Sequence, residues 1–327
     1  MMDSRLEAIK SWLTAVLDSE NFTLAPASSD ASFRRYFRVS AAKESWIVMD
    51  APPEKEDTGP FIKIGQFLDS QHVHVPKIIA QESEAGFLLL SDLGSQPYLN
   101  ALNNDSADNL YHDALTSLID IQFCDPNPIA FPQYDRALLQ QELDLFPEWF
   151  LSQHFDIAAP AHLQATFDLL IDNALSQPQV IVHRDYHSRN LMLVPENNPG
   201  IIDFQDAVIG PITYDLVSLL RDCYIAWPQT KIDAWVQQYF NLAQQRGLLT
   251  GCDLMTFTQW FDLMGLQRHL KVLGIFCRLH YRDDKPNYMH DLPQTLTYVR
   301  QVCRRYDMLS DLSDFLSTSD KIVALSK

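Results

Sequence analysis

The chain is 327 residues long, with 46% hydrophobic and 20% charged residues, which suits two lobes with a sizeable core and excludes disorder by composition. Its 25 Lys and Arg against 42 Asp and Glu give a formal net charge of −17. That excludes non-specific attraction to nucleic acid or to an anionic membrane, since both need a basic surface.

The first predicted element is a helix: Leu6, Ile9, Leu13, Val16 and Leu17 recur at helical spacing. The acidic residues among them do not fit a signal peptide. No apolar run approaches the roughly 18 residues of a membrane span, and the expected location is the cytoplasm. Cys124, Cys223, Cys252, Cys277 and Cys303 lie scattered with no C-x-x-C pair, which reads as free thiols in a reducing compartment.

Three short stretches follow, "FTLAPASS", "FRRYFRVSA" and "SWIVMDAP". Rich in aromatic and β-branched residues and separated by polar turns, they read as antiparallel strands. "TGPFIKIGQFLDSQ" returns to helical spacing, with Phe61, Ile64 and Leu68 on one face. "VPKIIAQES" and "GFLLLSDLG" add two strands around a turn at Glu84–Gly86. From Asp105 onward helical stripes dominate, with the strands "VIVH" and "GIIDF" embedded among them. The expectation is an α+β, bilobal chain: residues 1–93 a lobe on a five-stranded antiparallel sheet, residues 94–327 a larger, mainly helical lobe.

The polar interruption "VIVHRDYHSRNLMLV" carries the chemistry. His183, Arg184, Asp185 and Asn190 fit the spacing H-R-D-x-x-x-x-N of kinase catalytic loops. A hydroxyl nucleophile needs a carboxylate to orient it and take its proton, and Asp185 is the candidate. A triphosphate needs Mg²⁺, a hard cation that prefers oxygen, and Asn190 offers an amide oxygen. Asp203, at the end of an apolar strand, is the candidate second metal ligand. His183 reads as a structural support of the loop, and His187 as a substrate contact.

With these residues in view, the chain resembles the aminoglycoside phosphotransferase and choline kinase branch of the protein-kinase-like superfamily. Within it, the chain looks most like bacterial anomeric sugar kinases acting on N-acetylmuramate and N-acetylglucosamine. The stretches that carry the likeness are "ASFRRYFRV", "VMDAPPEKED", "FLLLSDLG", "HRDYHSRNLM", "IIDFQDAVIGPITYDLVSLLRD" and "LQRHLKVLGIFCRLHYRDDKP". The resemblance implies transfer of the ATP γ-phosphoryl group to a sugar's anomeric hydroxyl, in peptidoglycan recycling. It makes Asp185 the base and Asn190 and Asp203 the Mg²⁺ ligands. Ser32, Arg34 and Arg35 would cover the phosphates, the backbone of Ser91, Asp92 and Leu93 would hold adenine, and Asp215 would brace the catalytic loop. Aminoglycoside, homoserine or choline phosphotransfer, or nucleotide binding without turnover, stand as alternatives.

Two departures from the pattern matter. The phosphate loop "SDASFRRY" has no glycine, and the third strand ends in Met49-Asp50 where a phosphate-pairing Lys is expected. The missing cation is sought among Arg34, Arg35 and Arg38, with Lys63 as a further candidate; solvated strand charges are the plainer reading. For the acceptor, Arg268, His269, Arg278, Tyr281 and Arg282 suit a sugar bearing a carboxylate, although such a run also reads as a solvated helix face. Glu142, Trp149 and Phe150 are placed near the cleft entrance or, for the aromatics, in the core.

Overall fold

The computed structural model describes residues 3–29, 33–42 and 44–325. In chain order the first elements are α1 (Ser4–Leu17), β1 (Thr23–Ser29), β2 (Arg35–Ala41), β3 (Glu44–Asp50), α2 (Gly59–Ser70), β4 (Ile78–Glu82), β5 (Phe87–Ser91), α3 (Tyr98–Ala101) and α4 (Ala107–Phe123). Next come α5 (Arg136–Leu145), α6 (Leu163–Ser176), β6 (Gln179–Val182), β7 (Leu191–Met192), β8 (Gly200–Ile201), β9 (Val208–Pro211) and α7 (Tyr214–Leu220). The chain closes with α8 (Gln229–Gln245), α9 (Leu254–Tyr281), α10 (Leu292–Arg305), α11 (Ser310–Thr318) and α12 (Asp320–Ala324). A wide π-type turn, Phe146–His154, continues α5. Two compact units result: Met1–Ala101 with Asn190–Asp206, and Leu102–Arg189 with Ala207–Lys327.

The first unit is built on a five-stranded antiparallel sheet, ordered β1-β2-β3-β5-β4. Strand alternation gives each strand two faces. One face packs Phe37, Val39, Trp46, Val48, Phe87 and Leu89 against Ile9, Trp12 and Leu13 of α1. Burying a large aliphatic side chain contributes about 1.5–3 kcal/mol, so α1 is held by its apolar stripe. The β4–β5 hairpin closes through a tight turn at Gly86, whose φ is +74°. A Cβ there would lie 1.9 Å from the Ala51 carbonyl oxygen, so only glycine fits.

The same alternation decides the fate of Arg35, which falls on the α1 face with Phe37. Its Nε donates to Asp50 at 2.8 Å, its Nη1 to Asp3, and its guanidinium lies over Phe37. Arg5 of α1 grips the other oxygen of Asp50, through Nε at 2.8 Å and Nη2 at 2.6 Å. The residue that ends β3 is thus a fully buried carboxylate clasped between two arginines. Arg35, expected at the phosphates, has its guanidinium donors on Asp50 and Asp3 beside α1. Asp50→Ala should leave Arg5 and Arg35 facing one another without their shared carboxylate, lowering stability by about 1.5–3 kcal/mol. An unchanged denaturation midpoint would show the clasp to be energetically idle.

In the second unit α9 spans 28 residues and is buried along most of its length. Gly274 lets it approach the end of α5: a Cβ there would lie 2.3 Å from the Leu145 carbonyl oxygen. β6 pairs antiparallel with β9, a partner that the apolar patterning did not single out. All five cysteines are free. Among the described residues, no helix is long and apolar enough to cross a membrane.

Candidate active site

In the second unit, the loop after β6 is suspended from buried carboxylates. Asp215, fully buried at the start of α7, accepts the His183 amide at 2.6 Å and the Arg184 amide at 3.0 Å. Burial lifts its carboxyl to about 7 despite these two bonds, which favour the ionised form. Arg184 has φ +76°, unusual for a residue with a side chain. The surrounding contacts over-determine that conformation. The Asp185 amide donates to His183 Nδ1 at 3.2 Å, and the fully buried Tyr186 donates to the Ala114 carbonyl of α4 at 2.8 Å. Ser188 closes the loop, its amide donating to Asp222 Oδ2 at 3.0 Å and its hydroxyl at 2.5 Å.

A second support comes from Glu142 of α5, which is buried. It accepts Arg184 Nη2 at 2.5 Å, Lys271 Nζ at 2.8 Å and the Tyr134 hydroxyl. Lys271 also donates to the Tyr214 hydroxyl at 2.9 Å. Burial would raise the Glu142 carboxyl, but Lys271 and Arg184 outweigh it and hold it below its ordinary value. Phe150 is likewise buried.

Asp185 stands at the centre of these charges. Burial opposes its ionisation, yet His187, Lys271 and Arg268 prevail, holding it below the ordinary carboxylate range. His187 is pushed down by burial, more than Asp222 and Asp185 lift it, and its ring stands edge-on to Tyr224 at 5.3 Å. Arg268 is 5% exposed, with its Nε unpartnered among the described residues.

The other residues expected on α9 do not join Arg268. One step along a helix turns about 100°. His269 therefore enters the core, stacking on Tyr298 at 4.9 Å and bonding the Arg221 carbonyl oxygen at 2.9 Å. Burial holds its imidazole down to about 3. Arg278 and Arg282 lie ten and fourteen residues beyond Arg268, roughly 15 and 21 Å along the axis at 1.5 Å per residue. Arg282 bonds its neighbour Asp283 at 2.8 Å, and Tyr281 pairs with His154 at 2.8 Å. Arg278 is half-buried; burial and the nearby Arg282 lower its pKa, against the attraction of Asp283 and Glu148. His269, Arg278, Tyr281 and Arg282, expected with Arg268 at the acceptor, thus lie on other faces or at other levels of this run.

In the first unit, register sets the second group of candidate residues side by side. β7 pairs with β8 through Leu191↔Ile201 and Met192↔Gly200. One step outward, the Ile202 amide donates to the Asn190 carbonyl at 3.1 Å. Asn190 Nδ2 then reaches Asp203 Oδ2 at 3.2 Å, and Gln205 Nε2 reaches Asp203 Oδ1 at 2.6 Å. Asp203 has φ +66°, a turn conformation that Asp tolerates. Phe204 is fully buried and packs on Phe61 of α2, with ring centroids 4.9 Å apart.

This second group suits a hard cation. Both Asp203 oxygens accept from side-chain amide N–H groups, which a cation bound to this carboxylate would have to displace. Gln205 Oε1 is buried and has no hydrogen-bond partner among the described residues. Among the described residues, no three His, Cys, Asp or Glu side chains converge as a ligand set. Mg²⁺ requires only one or two protein carboxylates, taking its remaining oxygens from phosphates and water.

The remaining candidates in this unit are occupied to different degrees. Ser32 lies outside the described residues. Arg34 is 14% exposed and meets Glu56 at 3.3 Å, and Glu56 also accepts the Phe33 amide at 3.0 Å. Arg38 turns away from α1 and clamps the segment after β5. It reaches Asp92 at 2.7 and 3.0 Å and the Gly94 carbonyl at 2.7 Å. Ser91 spends its amide on the Lys77 carbonyl and accepts the Lys77 amide through Oγ, both at 2.9 Å. Leu93 packs over Gly200, where a Cβ would lie 2.9 Å from Leu93 Cδ1. Lys63 is exposed on α2.

The sequence pattern of the phosphotransferase enzyme family that includes the aminoglycoside phosphotransferases matches residues 23–249. The chain belongs to that family and is an ATP-dependent phosphotransferase. It is 45% identical to the N-acetylmuramate/N-acetylglucosamine kinase of Pseudomonas putida, over 96% of each chain. With the kinase of that name from Neisseria meningitidis it shares 40% identity, over 93% of this chain and 92% of the relative. An ADP-bound aminoglycoside phosphotransferase superposes with a TM-score of 0.61 at 15% identity, over 92% of this chain and 99% of that one. That likeness carries the fold alone: protein-kinase-like, as the sequence implied.

Proposed function

We propose that the chain phosphorylates the anomeric hydroxyl of N-acetylmuramate and N-acetylglucosamine, in the cytoplasm, during peptidoglycan recycling. The supporting observation is the 45% identity, over 96% of each chain, to a kinase named for those two sugars. Asp185 orients the acceptor hydroxyl and takes its proton. A carboxylate kept ionised by surrounding cations is a weak base, and an anomeric hydroxyl is more acidic than an ordinary alcohol, so it asks less of that base.

Asn190 and Asp203 would hold Mg²⁺, which supplies charge neutralisation on the transferring phosphoryl oxygens. Residues 1–93 take the nucleotide, with adenine along Asp92 and Leu93, since the Ser91 amide is already used. Residues 94–327 take the acceptor. Arg268 and His187 line that acceptor side. Arg34 is the remaining phosphate-loop arginine for this role, and Arg38 fixes the adenine segment through Asp92.

Purified protein with Mg-ATP and either amino sugar should yield the sugar 1-phosphate, identified by phosphorus NMR. ATP turnover with aminoglycosides and none with amino sugars would reject the acceptor assignment.

A further inference from the structure

The cations around the catalytic loop are not equally available. Arg184 and Lys271 both bond Glu142, and Arg268 is buried. Arg189 is exposed and forms no ion pair among the described residues. Its guanidinium lies 3.4 Å from the Tyr224 ring centroid, stacked on that face. Asp291 is close enough to feel its charge. The Tyr224 ring also meets His187, two residues after Asp185, in a T-shaped pair with centroids 5.3 Å apart. An aromatic surface therefore runs from beside the candidate base to an uncommitted guanidinium, all within one unit.

The geometry points to Arg189, stacked on Tyr224, as the residue that reads a carboxylate on the acceptor and so separates N-acetylmuramate from N-acetylglucosamine. This rests on the acceptor assignment above. The two sugars differ by a lactyl ether on O3, two ring carbons from the reacting C1. With the anomeric hydroxyl at Asp185, the rest of the ring must extend past the loop. His187 and Tyr224 offer it aromatic surface. A guanidinium matches a carboxylate through two parallel N–H bonds. Stacking fixes the plane of that fork in advance, so less freedom is lost on binding. In a chain of net charge −17, an anionic substituent needs such a local reversal of field.

The test is kcat/KM for both sugars with Mg-ATP in the wild type, Arg189→Met, Arg189→Lys and Arg268→Met. Arg189→Met should lower the N-acetylmuramate to N-acetylglucosamine ratio by on the order of tenfold to a hundredfold, the range for a charge-assisted hydrogen bond. Arg189→Lys should recover part of it, because charge is kept while the fork is lost. Equal losses on both sugars would reduce Arg189 to a support of the loop and overturn the inference. So would a change of ratio in Arg268→Met alone. If the wild type phosphorylates neither sugar, the acceptor assignment fails first and takes the inference with it.

Discussion

Asp185→Asn should lower kcat by on the order of 10²–10⁴, the usual contribution of a positioned general base, while nucleotide affinity stays close to wild type. The amide keeps the size and polarity of the side chain but cannot accept the hydroxyl proton. The loop should survive the change, because its suspension runs through Asp215, Glu142 and Asp222. Steady-state turnover and calorimetric titration of nucleotide, on the same preparation, separate the two effects. Undiminished turnover would remove Asp185 from the base role. In the wild type, the acid limb due to this group should fall below the ordinary carboxylate range, since neighbouring cations outweigh burial. Replacing Lys271 by Met should move that limb to higher pH.

The second large effect is expected in stability. Glu142→Ala leaves Lys271 buried and Arg184 largely so, without their shared counter-ion. Breaking one side of a buried ion pair costs about 3–5 kcal/mol. The denaturation midpoint should fall accordingly, and the double variant Glu142→Met with Lys271→Met should regain part of the loss. A single variant as stable as wild type would show that water already relieves these charges. The pH dependence has a definite sign. The folded-state pKa of Glu142 is depressed, so its contribution is full above the ordinary value of 4.5 and is lost as pH falls through the folded-state value.

These expectations separate two kinds of residue around the loop. Asp185 is predicted to act on the acceptor, whereas Glu142, Asp215 and Asp222 act on the backbone that presents it. A carboxylate accepting two consecutive amides, as Asp215 does, fixes peptide planes and not merely a side chain. That is how a non-glycine residue is kept at the positive φ of Arg184.

What was legible in the sequence was local. Alternation exposed the strands, helical spacing exposed α1, α2 and α9, and Asp185, Asn190 and Asp203 stood out as polar residues interrupting apolar runs. The hairpin that joins Asn190 to Asp203 is formed by neighbours in the chain, so spacing alone could suggest it. What only the tertiary structure decided was pairing at long range. Lys271 meets Glu142 across 129 positions, Arg184 meets Glu142 across 42, and Arg5 meets Asp50 across 45. Periodicity states which residues share a face, but not which element that face will meet. Arg35 and Arg34 are adjacent in sequence, yet one is spent beneath α1 and the other sits beside Glu56. Five residues of one helical run likewise divided between a loop, the core and the far end of the helix, because each step of an α-helix turns the side chain by about 100°.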